Sequence, residues 1–270
     1  MSTFLYTRPT DRFDGSTTAL GTFSVSAGTE DPAYKAVNLV NGRPEQPAKL
    51  LERSNCAWLC DLAIAQHMGI VGIINHNFDP GLKVYLSGNA TDNWTSPSYS
   101  FPFTVPERRL DRFTTNLWIV VNKTFRYWRL TVIGQANSAP ISVGEWALYH
   151  TARDLGVRNI KWGSTRAWHK PSIVHETEMG VRRAYTIGTT FRSLDVEVQP
   201  TDTGVRDVDD WFRAADGNVR PFLVVANKDD FDAEVLMATF TDADQPYKRE
   251  VRNYNTATIM LRELSPGLYP

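Results

Sequence analysis

The chain has 270 residues, with 29 basic against 30 acidic side chains and 42% apolar residues, a balance that excludes a disordered chain and allows one large domain or two ordinary ones. A net charge of -1 gives no electrostatic footprint for nucleic acid, and no apolar run approaches the ~20 residues of a membrane-spanning helix. Two cysteines exclude a disulfide-built scaffold, and the opening residues lack the basic-then-apolar pattern of a secretory signal.

Frequent aromatics (8 Trp, 10 Tyr, 13 Phe) between 17 Gly and 15 Pro favour short strands joined by turns. Residues 1–20 read as an arm or first edge strand, since Arg8, Pro9, Asp11 and Gly15 oppose an independent helix. Over 55–62, Cys56, Trp58, Cys60 and Leu62 fall on one side of a strand. Cysteines four apart on a strand are ~13 Å apart, too far for a disulfide. They read as small buried apolar residues rather than a metal or redox pair, because no second Cys or His pair has matching spacing.

Residues 68–75 (MGIVGIIN) are a short apolar run, consistent with a strand covered on both faces. Asn75 to Gly81 is a dense turn signal. Residues 83–87 alternate again, and 88–106 read as a polar loop carrying Trp94, Tyr99, Phe101 and Phe103. Strands follow at 117–121, 125–133 and 141–149, the last with Trp146 and Leu148 on one face. Short strands without a convincing helix indicate a β-sandwich.

Four segments in this half carry a resemblance. Asp31 to Gly42 (DPAYKAVNLVNG), 58–62 (WLCDL), 125–130 (FRYWRL) and 141–149 (ISVGEWALY) occur in the order found in discoidin-type, galactose-binding-like domains. The first resembles that family's P-x-Y-x-A-x-N-L-x-D-G. The resemblance spans about 22–150 and implies an eight-stranded jelly roll. Residues 73–77 (IINHN) make it similar to the version found in bacteriophage tail proteins. Such domains bind sugars, lipids or proteins through loops at one end, and many hold calcium near the N-L-x-D-G turn with the Glu of the last strand. The matching positions are Asn41 and Glu145, weak calcium candidates. Asn41 replaces the turn's Asp, and Arg43 follows it, a cation that would oppose a hard metal ion.

The second half changes rhythm after 150–156, which reads as the junction. Strands are expected at 184–189, 192–198, 219–226, 234–240 and 254–264. One helix is expected at about 203–216, where Val205, Val208, Trp211, Phe212 and Ala215 recur at helical spacing and Gly217 follows. Trp211-Phe212 through Gly217, then Pro221-Phe222 and Val224, is similar to the small β-barrel domain of siphophage minor and distal tail proteins. That resemblance covers about 155–265 and implies stacking in rings at a tail tip.

No phosphate loop, GxSxG elbow, HExxH or paired CxxC is present. His67, His76, His150, His169 and His175 are scattered, and His175-Glu176 lacks a second His. Asp229, Asp230, Asp232 and Glu234 read as a solvated turn, Asp207, Asp209 and Asp210 as a solvated helix face. Arg108, Arg109 and Arg112 read as a surface patch or subunit contact. Trp94 and Tyr99, with His76 and Asn77 at a turn that could share their end of the sandwich, are the candidates for sugar contact. Plugging the sandwich end or filling a subunit interface is the competing role for the two aromatics.

The expected fold class is therefore mainly β: an arm (1–20), a jelly-roll sandwich (21–150), and a small β-barrel or sandwich with one helix (151–270). The resemblances imply a non-enzymatic structural component of a phage tail, assembled in the host cytoplasm with other phage tail proteins. A ring-forming homo-oligomer is expected, with no cofactor and no nucleic acid. The alternative is a carbohydrate-binding module contacting a host surface glycan.

Overall fold

A computed structural model describes residues 4–13, 21–105, 116–134, 140–154, 165–169, 172–176, 182–186, 191–198, 202–225, 235–241, 247–251 and 254–264. In chain order the strands of the first part are β1 (Leu5–Tyr6), β2 (Thr22–Ala27), β3 (Ala48–Leu50), β4 (Cys56–His76), β5 (Lys83–Asn89), β6 (Tyr99–Thr104), β7 (Leu117–Ile133), β8 (Ile141–Tyr149) and β9 (Arg153–Asp154). There follow β10 (Thr165–His169), β11 (Ser172–Glu176), β12 (Arg182–Thr186), β13 (Phe191–Val198), helix α1 (Asp202–Ala214), β14 (Phe222–Val225), β15 (Val235–Phe240), β16 (Tyr247–Val251) and β17 (Tyr254–Glu263). The basic knot 108–112, the acidic turn 229–234 and Lys161 to Gly163 fall outside the described residues.

The chain is mainly β, and its first half is one seven-stranded antiparallel sheet that folds over itself to make the two sheets of a sandwich. Strands expected at 55–62 and 68–75 are one 21-residue strand, β4. It shifts register between Asp61 and Gln66, and Ala63 there has φ +61°. A bulge bends the strand. The bend is braced by Asp61, whose carboxylate accepts from Ala63 N–H and from Arg126 Nε (2.7 Å) and Nη2 (2.8 Å). The first part of β4 pairs with β2 and β7, its second part with β7 and β8. Thus β4 and β7 serve both sheets. Trp58, Trp128 and Trp146, all fully buried, fill the space between them.

Cys56 and Cys60 are free and buried, and burial pushes the Cys56 thiol up to about 11 and that of Cys60 higher still. Such thiols are unreactive at neutral pH.

The second half forms an eight-stranded sheet, ordered β10-β13-β17-β15-β14-β1-β9 with β16 on β17. Val208, Trp211 and Ala215 anchor α1 and the following turn on one face, where Trp211 meets Tyr6 (4.2 Å), Phe222 (4.8 Å) and Phe240 (4.9 Å). The other face, Leu223, Val225, Val235 and Met237, packs on Ile70, Ile74, Ala147 and Tyr149 of the sandwich. This contact explains the apolar run at 68–75. Val71 and Ile73 point into the sandwich, Ile70 and Ile74 into the second sheet.

The N-terminal segment is not a separate arm over 4–13. β1 lies between β14 and β9, inside the second sheet. Phe4 and Tyr6 join the core under α1, Leu5 joins the contact between sheet and sandwich, and Phe13 enters the sandwich core. Three consecutive apolar residues need cover on both strand faces, and only the packed halves together supply it.

Gly144 of β8 sits against another backbone segment: a Cβ there would lie 2.3 Å from the Pro44 carbonyl oxygen. Gly144→Ala is therefore expected to cost about 1–3 kcal/mol by overpacking. The check is a lower urea midpoint at unchanged m-value; an unchanged midpoint would contradict the close approach.

Candidate functional site

Residues 88–106 are not one loop. β6 occupies Tyr99–Thr104 and pairs with β5 from Gly88↔Tyr99 to Lys83↔Thr104. Tyr99, Phe101 and Phe103 share a face packed on the sandwich core. Pro102 obscures the pattern in the sequence, but β6 ends the sheet, where a missing N–H is tolerated. What remains is a turn, 90–98, between β5 and β6.

This turn is braced internally. Asn89 Nδ2 donates to the Asn93 carbonyl (2.6 Å), and Ser98 Oγ donates to Asn89 Oδ1 (2.7 Å). Thr95 N–H donates to Asn93 Oδ1 (3.1 Å). Short Asn side chains bonding to nearby backbone build such turns. Trp94 is half-buried, and its indole N–H donates to Asp92 Oδ1 at 2.6 Å. The Arg129 guanidinium lies over the Trp94 ring, 5.5 Å from its centroid, within cation–π range.

Arg129 projects from the outer face of the sheet. Its neighbours Trp128 and Leu130 are buried in the core, so alternation turns Arg129 outward, level with Ser87 and Leu59 of the adjoining strands. The site thus has an aromatic ring, a guanidinium, and the hydroxyls of Ser87 and Ser100, whose oxygens are 3.5 Å apart. Burial holds the Arg129 pKa below its ordinary value, with Asp92 opposing.

The other sugar candidates do not join it. The Tyr99 ring turns inward against Trp128 (6.0 Å) and Phe125 (6.5 Å), and burial raises its pKa. His76 is buried, stacks on Phe78 (4.3 Å) and accepts the Phe78 N–H at Nδ1 (3.2 Å). Asn77 donates through Nδ2 to the Pro140 carbonyl (2.7 Å) and accepts from Ser142 N–H (2.9 Å). His76 and Asn77 precede β5, whereas Trp94 follows it. The strand between them, Lys83–Asn89, spans ~20 Å. A turn-rich sequence marks loops; it does not say at which end of a sandwich they emerge. An open groove of ≈ 400 Å³ lies at the Lys83 end, walled by Asp79, Leu82, Tyr85 and Ile133.

Asn41 and Glu145 are engaged elsewhere. Glu145 is fully buried; its carboxylate accepts from Gly42 N–H (3.1 Å) and from Arg12 Nη2. A Cβ at Gly42 would lie 3.2 Å from Arg12 Nη1, so glycine leaves the guanidinium room. Asn41 Oδ1 accepts from Arg43 N–H (2.7 Å) within its own turn. A hard cation needs six or more oxygens at ~2.3–2.6 Å. One carboxylate, already holding a guanidinium, does not fit calcium. The cation opposing it is Arg12, 133 residues away, rather than the exposed Arg43.

Among the described residues no group of three or more His, Cys, Asp or Glu could hold a metal ion, and no helix is long and apolar enough to cross a membrane. No sequence signal singled out Arg129; it lies within the resemblance segment 125–130, but only the fold sets it beside Trp94.

No family model and no curated protein matches this sequence. Several solved structures are similar. The lectin domain of lectinolysin, complexed with Lewis B antigen, has 15% identity and TM-score 0.38, over 48% of this chain and 93% of that chain. A fucose-binding module of Streptococcus pneumoniae has 13% identity and TM-score 0.38, over 48% and 90%. Chitosan-binding module 2 of a Paenibacillus sp. IK-5 chitosanase/glucanase, complexed with chitotriose, has 14% identity and TM-score 0.38, over 49% and 99%. These neighbours are carbohydrate-binding modules, and their ligands are theirs alone.

Proposed function

We propose that this chain binds a glycan through the 90–98 turn of its sandwich, with Trp94 as the platform. The observation that carries this reading is the half-buried indole, oriented by Asp92 and Arg129 in a cross-braced turn. A fixed aromatic face suits the apolar face of a sugar ring, and directed polar groups beside it select hydroxyls. Bracing lowers the entropy cost of ordering the loop on binding. The test is calorimetric titration with a panel of oligosaccharides. Trp94→Ala is expected to weaken binding at least about tenfold, roughly 1.4 kcal/mol, while Tyr85→Ala in the far groove leaves it unchanged. Binding that survives Trp94→Ala would remove this site.

A second reading places the chain in a phage tail, in contact with other tail proteins, where the same site would meet a host surface glycan. β11 and β12 favour assembly: they form a two-stranded sheet of their own. Such ribbons are marginal in isolation and gain stability by packing on a neighbour. Light scattering of the purified chain is expected to show a closed homo-oligomer; a monomer at every concentration would count against self-assembly.

A further inference from the structure

We infer that the glycan taken beside Trp94 carries a carboxylate, which meets Arg129. The inference rests on the glycan reading of Trp94 and specifies the substrate class. Arg126 and Arg129 both belong to β7. Arg126 is already paired, through two hydrogen bonds to Asp61, and its guanidinium lies over Tyr127 (4.7 Å). Arg129 has no such partner: among the described residues nothing accepts a hydrogen bond from it and no carboxylate lies within ion-pair distance. Asp92, a carboxylate near it, is bonded to the Trp94 N–H instead.

Of the three guanidinium nitrogens only Nε is sealed from solvent without an acceptor. Packing against the Trp94 ring thus holds a partly desolvated charge in place. Burying part of a guanidinium without an acceptor is unfavourable, and an anionic ligand offsets that cost. A planar carboxylate matches the guanidinium fork, and the pairing gains strength where water is partly excluded. Ser100, exposed at the rim, is placed to accept or donate to a sugar hydroxyl.

The experiment titrates the full chain with a uronic-acid oligosaccharide, a sialylated oligosaccharide, a glycerol-phosphate polymer and a neutral oligosaccharide of matched length. The variants are Arg129→Gln, Arg129→Lys and Trp94→Ala, each checked for an unchanged melting transition. A carboxylated sugar is expected to bind best, to weaken as salt rises, and to lose about tenfold or more in Arg129→Gln. Arg129→Lys, which keeps the charge without the fork, is expected to fall between. The uronic and sialylated arms separate the two sources of carboxylate. Preference for the phosphate polymer would overturn the carboxylate assignment. Neutral sugar bound equally well, dependent on Trp94 and indifferent to Arg129→Gln, would overturn the inference and leave the glycan reading standing. No binding in any arm would overturn both.

Discussion

A chain that begins at residue 14 is expected to lose the cooperative fold of its second half. Removing 1–13 takes Phe4 and Tyr6 from around Trp211, Leu5 from the contact between sheet and sandwich, and Phe13 from the sandwich core. Each is under 7% exposed, and burying such a side chain is worth ~1.5–3 kcal/mol. Four of them amount to about the whole stability margin of an ordinary domain. The deletion also strips β1 from between β14 and β9 and removes three Thr7–Leu223 hydrogen bonds, from Thr7 N–H (3.0 Å) and Thr7 Oγ1 (3.3 Å) to the Leu223 carbonyl and from Leu223 N–H to Thr7 Oγ1 (2.8 Å). Strand edges left open pair readily with other chains. The truncated protein is expected to unfold in two steps or aggregate, with a red-shifted Trp emission under conditions where the full chain stays native. A single transition at the full-length midpoint would show that the segment is dispensable.

Arg12→Ala is expected to be the most costly single substitution, at about 3–5 kcal/mol, because it leaves the Glu145 carboxylate buried and unpaired. The loss depends on pH. Burial raises the Glu145 carboxyl from 4.5 to about 7, against the opposing effects of Arg12 and the Gly42 N–H. A raised carboxyl holds its proton in the folded state after the unfolded chain has lost it. Its contribution to stability is therefore full below pH 4.5 and is lost as pH rises through about 7. Without Arg12 the carboxyl rises further, so the variant is expected to approach wild type at pH 5 and to fall furthest behind at pH 8. Urea midpoints at the two pH values decide it. Adding Glu145→Gln to Arg12→Ala should remove most of the pH dependence; an Arg12→Ala deficit equal at pH 5 and 8 would contradict a buried charge as its cause.

Legibility in the sequence followed the range of each interaction. β5, β8, β13 and α1 could be read because two-residue or helical periodicity is local, whereas the strands expected at 117–121 and 125–133 are one strand, β7, that runs through the turn expected at Asn122-Lys123. β6 was lost because Pro102 and a polar flank masked three aromatics alternating inward. The bend at Asp61 joins two expected strands into one, because it depends on Arg126, 65 residues away. Within the candidate site, Trp94 was identifiable as an aromatic in a polar turn. Arg129 was not, since nothing in its own neighbourhood distinguishes it from any outward strand residue. Tyr99 and His76 carried the right chemistry and the fold turned both inward.

By itself, then, the sequence determined most of the element types and the β-sandwich, because these follow from periodicity and turn residues. The tertiary structure alone decided that residues 4–13 join both halves, that Arg12 faces Glu145, and that Arg129 lies over Trp94. The physical reason is separation along the chain. Thr7 bonds to a residue 216 positions away and Arg12 to one 133 away. Ring and guanidinium, too, belong to the turn after β5 and to β7, which meet only when β5 and β7 pair. Local patterning places a side chain on a face; only packing of distant segments chooses what stands opposite it.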